Sequence, residues 1–244
     1  MVQEDNTAVS EQFSERKLYI VSTPIGNLRD ITLRALDVLA QVDIIAAEDT
    51  RVSKRLLEHF QISTSMLSYH DHNKERVAPR LLTELENNRS VAIITDAGTP
   101  GISDPAFYLI RMAVEHEYPV EAIPGATAVI PALIVSGLPT DRFVFEGFLP
   151  VKKGRQSRLQ ELKEDPRTLI FYESPYRVHK TIRDLCDHFG DRPLVIAREL
   201  TKIHEQIIYT SLRQIQQEES AFPLKGEFVL VVGGLTRKLK TKLG

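Results

Sequence analysis

The sequence is short of cysteine and of long apolar runs. It holds a single cysteine, Cys186, so no internal disulfide can form, which suits a reducing compartment. No stretch approaches the roughly twenty apolar residues that a membrane span requires. Residues 1–16 are polar and acidic, without the apolar core of a signal peptide, and read as a flexible tail. The expected location is therefore the cytoplasm, and the expected role of Cys186 is packing on a helix. With 244 residues, 42% of them hydrophobic, the chain can bury one large core or two modest ones, and two compact lobes are expected.

Basic charge is missing from three short loops. Residues 23–27 (Thr-Pro-Ile-Gly-Asn), 96–105 (Asp-Ala-Gly-Thr-Pro-Gly-Ile-Ser-Asp-Pro) and 124–128 (Pro-Gly-Ala-Thr-Ala) contain no Lys or Arg, and the second contains two Asp. Each follows a β-rich run, at 18–21, 91–94 and 120–123, and precedes a helix-like segment, the pattern of an open, mainly parallel sheet. In such sheets ligands bind beyond the carboxyl ends of the strands, where Gly lets backbone approach closely and helix amino termini offer N–H groups. The loops read as three walls of one pocket. Their charge and the absence of a G-x-x-x-x-G-K-[ST] motif argue against a polyphosphate ligand; residues 23–27 also have one Gly where a dinucleotide fingerprint needs three. A small ligand with a cationic part fits better.

The formal net charge of −2 hides an asymmetry: residues 1–16 carry −3, residues 17–141 carry −5 and residues 142–244 carry +6. Much of the excess lies in Lys152, Lys153, Arg155 and Arg158, a run without acids, and in residues 237–242. Such clusters bind phosphate backbones, although the same charge also makes a solvated loop and tail. From residue 17 the pattern alternates strand and helix, with strands at 18–21, 42–47 and 66–69 and helices at 32–39, 52–59 and 75–87. This gives a doubly wound lobe over 17–139, ended by the Gly-Leu-Pro-Thr-Asp break at 137–141. Residues 140–235 form a second lobe. Its strands fall at 143–148, 168–172, 194–197, 206–210 and 227–232, and its helices at 155–163 and 177–189. A basic tail covers 236–244. The fold class is α/β, a doubly wound mainly parallel sheet followed by a mixed-sheet domain with two or three helices.

Seven segments in order carry a resemblance. They are Ser-Thr-Pro-Ile-Gly-Asn-Leu at 22–28, Glu-Asp-Thr-Arg at 48–51, Asp-Ala-Gly-Thr-Pro at 96–100, Ser-Asp-Pro at 103–105, Ile-Pro-Gly-Ala at 123–126, Tyr-Glu-Ser-Pro at 172–175, and Arg-Glu-Leu-Thr-Lys at 198–202 with His204 and Glu205. Together they resemble the tetrapyrrole-methylase superfamily over about residues 17–234, and within it the branch that methylates a cytidine ribose 2′-hydroxyl in the decoding region of small-subunit ribosomal RNA. The resemblance implies two α/β domains, S-adenosylmethionine in the cleft between them, and a homodimer. By carry-over, Pro24 and Gly26 line the start of that cleft. Asp96, Gly98, Thr99, Pro100, Ile102, Ser103 and Asp104 wrap the methionine and ribose portions; Gly125, Ala126 and Thr127 approach from the third strand end, and Tyr172 closes over the cofactor. The lack of basic side chains in the loops agrees independently, because the reactive centre of this cofactor is a sulfonium cation. Ala106 departs from the Gly that relatives place after Asp-Pro; it is tolerated if the position is helical. The chain ends soon after Gly234, so a carboxy-terminal module of longer relatives, and any RNA contact it makes, is not expected.

Methyl transfer from sulfonium to oxygen is an in-line displacement with a good leaving group, so alignment is the main task and a base only assists. Lys202, with a pKa lowered by burial, Glu205 and Asp49 are the candidates. Each has a second reading: Asp49 caps the next helix and pairs with Arg51, while Lys202 and Glu205 form an exposed ion pair. His70 and His72 lack further ligands nearby, so they are assigned to substrate contact or loop hydrogen bonding and no metal is expected. Arg51, Lys152, Lys153, Arg155, Arg158 and Arg177 are the candidate RNA contacts, which would position the substrate without reading its sequence. Arg177 equally serves to neutralise Glu173, and Pro175 suits the first turn of a helix. The expected partner is small-subunit RNA or the 30S particle, recognised by shape and an unpaired nucleotide, with no membrane. Two other readings stay open: methylation of a tetrapyrrole carbon, and a non-catalytic cofactor-sensing or ribosome-binding module.

Overall fold

The computed structural model describes residues 17–218 and 222–236; the tails expected before residue 17 and after Thr236 lie outside the described residues. The chain divides into two compact units, one formed by residues up to Pro24 with Leu28–Ala126, the other by Ile25–Asn27 with the chain from Thr127 onward.

The first unit is a five-stranded sheet of β1 (Leu18–Val21), β2 (Ile44–Ala47), β3 (Met66–Ser68), β4 (Val91–Ile94) and β5 (Val120–Ile123), in the order β3-β2-β4-β1-β5. Every pairing is parallel. Side chains alternate across the strands, so both faces must be covered. Val91 and Ile93 join a core under α3 (Lys74–Glu86) and α4 (Ala106–Glu115), while Ala92 and Ile94 join another under α1 (Leu33–Gln41) and Leu57 of α2 (Thr50–His59). Val77, Leu81 and Leu85 recur at helical spacing as the buried stripe of α3. Thr32 caps α1 by accepting from Ala35 N–H at 3.1 Å.

The second unit holds β6 (Phe143–Phe148), β7 (Thr168–Glu173), β8 (Pro193–Arg198), β9 (Gln206–Ser211) and β10 (Phe228–Val232), in the order β6-β7-β10-β8-β9. The wholly buried β10 is the central strand and runs antiparallel to both neighbours. Consequently β7 and β8 run in the same direction, and their last residues, Glu173 and Arg198, are both level with Phe228. β6 is parallel to β7, with Phe148 level with Tyr172. The loops that follow β6, β7 and β8 therefore leave one edge of this sheet.

Among the described residues four helices accompany the second sheet: α5 (Val129–Val135), which packs against β10, then α6 (Arg155–Leu162), α7 (Val178–Phe189) and α8 (Leu212–Gln217). The last has six residues, too few for an apolar period to announce it; Ser211 starts it by accepting from Gln214 N–H. Pro175 is not in the first turn of α7. It lies in a preceding turn closed by Arg177 N–H to Ser174 O, and the helix begins three residues later. Cys186 is a free thiol on α7, packed against the core. No helix among the described residues is long and apolar enough to cross a membrane.

Candidate functional site

In the first unit the ends of β4, β1 and β5 lie side by side, and their loops are stitched together. Thr23 and Gly98 exchange backbone hydrogen bonds of 2.9 and 3.1 Å, and Thr23 Oγ1 donates to Thr95 O at 3.0 Å. Gly98 takes φ +89°, a left-handed conformation that a side chain would disfavour. Thr99 Oγ1 donates to Ala126 O at 3.0 Å and lies 2.9 Å from Ser22 Oγ. Gly125 leaves no room for a side chain, since a Cβ there would stand 2.7 Å from Ser22 Cβ. Asp104 folds the second loop on itself, accepting from Gly101 N–H at 2.9 Å and Ala106 N–H at 2.8 Å. Ala106 opens α4, so the Gly expected there is not needed.

The neighbouring strand end is tied in as well. Asp96 accepts from Asp49 N–H at 3.0 Å, and Glu48 accepts from Thr95 Oγ1 at 2.5 Å. Burial, with the charge of Glu48 nearby, pushes the carboxyls of both Asp96 and Asp104 above their usual range. The first unit thus gathers Pro24, Asp96, Gly98, Thr99, Pro100, Ile102, Ser103, Asp104, Gly125 and Ala126, whereas Gly26, Thr127 and Tyr172 belong to the second. These loops offer hydroxyls, backbone groups and carboxylates but no basic side chain. That donor set suits a small ligand with a cationic centre and opposes a polyphosphate.

In the second unit Gly26 faces the stem of Lys202, whose Cγ would overlap any Cβ at that position. Lys202 Nζ lies 2.8 Å from Glu199 and 3.3 Å from Glu227. Burial pulls its pKa down, but the hydrogen bond to Glu199 and the charge of Glu227 outweigh that, and the net shift is upward. Lys202 is therefore a held ammonium, which corrects the expectation of a lowered pKa. It also pairs with Glu199 and Glu227 rather than with Glu205. The Glu205 carboxylate accepts instead from Thr201 N–H at 2.5 Å, closing a turn in which Glu199 and Thr201 have φ of +52° and +67°. Asp49 caps α2, and Arg51 holds its carboxyl down to about 2, which makes it a weak proton acceptor. Tyr172 packs edge-on against Phe145 and Phe148, with its hydroxyl facing Thr127 and the backbone of Val129 and Ala128.

The ion pairs of this turn have a pH signature. Lys202, raised in the folded state, contributes fully below its ordinary 10.5 and loses that contribution as pH rises through its folded value. For Glu199 burial raises the pKa, yet Lys202 and Glu227 N–H bring it below 4.5, so its contribution is lost as pH falls through that lowered value. Lys202→Met is expected to unfold at lower urea than the parent between about pH 4.5 and 10.5, and the two curves should converge outside that window. Urea midpoints across pH check this; a constant offset at all pH would refute the pairing.

The basic candidates separate sharply. Arg155 is 4% exposed, with its guanidinium on Asp184 (2.7 Å), Thr181 (2.9 Å) and Pro150 O (3.2 Å). Those partners make it a structural residue rather than a phosphate ligand, a role that charge in sequence could not reveal. Arg158 grips Glu146 through two hydrogen bonds of 2.7 and 2.6 Å, and Arg177 donates to Leu149 O at 2.5 Å beside Glu173. Arg51 is bonded to Asp49 although its side chain is 87% exposed. Lys152 and Lys153 are exposed and form no ion pair among the described residues. His70 N–H donates to Asn73 Oδ1 at 2.8 Å, its ring lies edge-on to His72, and no metal-holding group of three occurs among the described residues.

Residues 17–216 match the family model described as Tetrapyrrole (Corrin/Porphyrin) Methylases. Two relatives named ribosomal RNA small subunit methyltransferase I illustrate the sequence likeness. That of Synechocystis sp. is 51% identical over 90% of this chain and 79% of its own length, and that of Escherichia coli O157:H7 is 47% identical over 91% and 79%. Among solved structures, cobalt precorrin-4 methyltransferase superposes with a TM-score of 0.64 at 20% identity, over 89% of this chain and 95% of its own. Uroporphyrin-III C-methyltransferase from Thermus thermophilus, complexed with S-adenosyl homocysteine, gives 0.63 at 19% identity, over 89% and 97%. These two share the fold. The chain belongs to the tetrapyrrole methylase family, among the relatives of ribosomal RNA small subunit methyltransferase I.

Proposed function

We propose that the protein is an enzyme that transfers a methyl group from S-adenosylmethionine to small-subunit ribosomal RNA, at the ribose 2′-oxygen of a cytidine in the decoding region. The observation that carries this reading is the near-half identity, over about nine-tenths of the chain, to proteins named for methylating that RNA. The loops of the first unit support the cofactor half: Thr99, Asp96, Asp104 and the close-packed backbone at Gly98, Gly125 and Ala126 would hold it. Bound there, the cofactor supplies a methyl group already activated on a sulfonium. What remains for the chain is to orient the acceptor hydroxyl and exclude water. Lys202 acts as a fixed positive charge beside Gly26, and Glu205 holds the turn that carries it. A strong base is not required, in keeping with the low pKa of Asp49 and the high one of Lys202. Lys152, Lys153 and Arg51 serve as the phosphate contacts, and the protein works as a cytoplasmic homodimer on RNA or the 30S particle.

The fold alone also suits a tetrapyrrole acceptor, and the +6 charge of residues 142–244 suits either anion; the 47–51% identity to the RNA enzymes, against 19–20% to the tetrapyrrole enzymes, favours RNA. Radiolabelled cofactor offered with small subunits in one reaction and a uroporphyrin-type tetrapyrrole in another separates the two. Label is expected in RNA alone. Label in the tetrapyrrole would overturn the reading, and cofactor binding without transfer to either would favour a non-catalytic module.

A further inference from the structure

Three loops, 149–154, 174–177 and 199–205, leave one edge of the second sheet after β6, β7 and β8. The first two adjoin directly, because Arg177 donates from one to Leu149 O of the other. The arginines around them are all occupied: Arg155 by Asp184, Arg158 by Glu146 and Glu161, Arg177 by Leu149 O and Glu173. Five other side chains on these loops face solvent. Tyr176 is 95% exposed, Ile203 97% and Val151 63%, and Lys152 and Lys153 carry charges with no ion pair among the described residues. A tyrosine that buries almost nothing contributes nothing to the core, so its ring is available to a partner. An open aromatic face with unpaired lysines on the adjoining loop is the combination that holds single-stranded nucleic acid, by base stacking and phosphate contact. A duplex keeps its bases stacked inside and has no use for the ring.

We propose that Tyr176 is a stacking platform for an unpaired base of the RNA substrate, with Lys152 and Lys153 on the neighbouring phosphates. This rests on the reading that RNA is the substrate and adds to it a residue that positions the strand. Because the ring belongs to an exposed turn, its removal leaves the fold and the cofactor loops intact.

The chain has no tryptophan, so Tyr176→Trp introduces a single indole reporter. Titration with a cytidine-rich single-stranded oligoribonucleotide is expected to quench its fluorescence saturably, whereas an abasic oligomer of equal length and a duplex leave it unchanged. Tyr176→Ala is expected to weaken single-strand binding by about five- to a hundredfold, and Tyr176→Phe to restore it. The double variant Lys152→Ala/Lys153→Ala should lower the slope of log affinity against log salt by about 1.4. Equal binding by Tyr176→Ala and the parent, equal quenching by the abasic oligomer, or no binding of single strands at all would each overturn the proposal. These titrations need no methyl transfer. Quenching without methylation of small subunits would sink the proposed reaction and leave the platform standing, and methylation without quenching would do the reverse.

Discussion

Gly125→Ala is expected to bind S-adenosylmethionine about five- to a hundredfold more weakly than the parent, as measured by calorimetric titration. The added Cβ would stand 2.7 Å from Ser22 Cβ, and 3.5 Å from both the carbonyl and hydroxyl oxygens of Ser22. Ser22 cannot swing away, because it is buried at the end of β1 and its clashing atom is attached directly to the backbone. Relief therefore has to come from separating the ends of β1 and β5, at an overpacking cost of about 1–3 kcal/mol. That separation displaces Ala126, the acceptor of the Thr99 hydroxyl, so the cost falls on the loops proposed to hold the cofactor. Gly137→Ala is the control. Gly137 has φ +66° but open space around it, so alanine there strains the backbone without touching the loops. Lost stability with unchanged cofactor affinity is expected for that variant, and unchanged affinity in Gly125→Ala as well would refute the close-packed cradle.

Arg155→Ala is expected to lower the stability of the second unit by about 3–5 kcal/mol in urea titration. The guanidinium joins Asp184 and Thr181 of α7 to Pro150 O, and Thr181 in turn donates to the buried Glu173 at 2.6 Å. Deleting the cation leaves Asp184 without its partner in a place water reaches poorly, and removes the donor to the Thr181 oxygen while its bond to Glu173 remains. The double variant Arg155→Met/Asp184→Leu should recover much of the loss, since removing both charges removes the uncompensated one. If Arg155 instead gripped phosphate, Arg155→Ala would unfold like the parent and lose only RNA affinity.

Features carried by local sequence were legible, and features made by distant partners were not. Gly98 and Gly125 stand out in short loops between an apolar strand and a helix, and the structure gives each a reason: a left-handed turn at one, contact with Ser22 at the other. The alternation of Val91 and Ile93 with Ala92 and Ile94 announces a strand covered on both faces. By contrast, nothing local places β10, the last described strand, between β7 and β8. That insertion brings Glu227 beside Lys202 and turns the expected base into a held cation. Arg155 departs from its expected phosphate contact for the same reason. Its neighbours in sequence are lysines and solvent-facing residues, whereas the partner that buries its charge is Asp184 on another helix.

The most direct test of the central claim is to incubate the purified protein and methyl-labelled S-adenosylmethionine with small ribosomal subunits from a strain lacking this activity, then digest the RNA to nucleosides. The account predicts that the label is recovered as 2′-O-methylcytidine. Label on a base, on another nucleoside, or absent from the RNA despite demonstrated cofactor binding would contradict it.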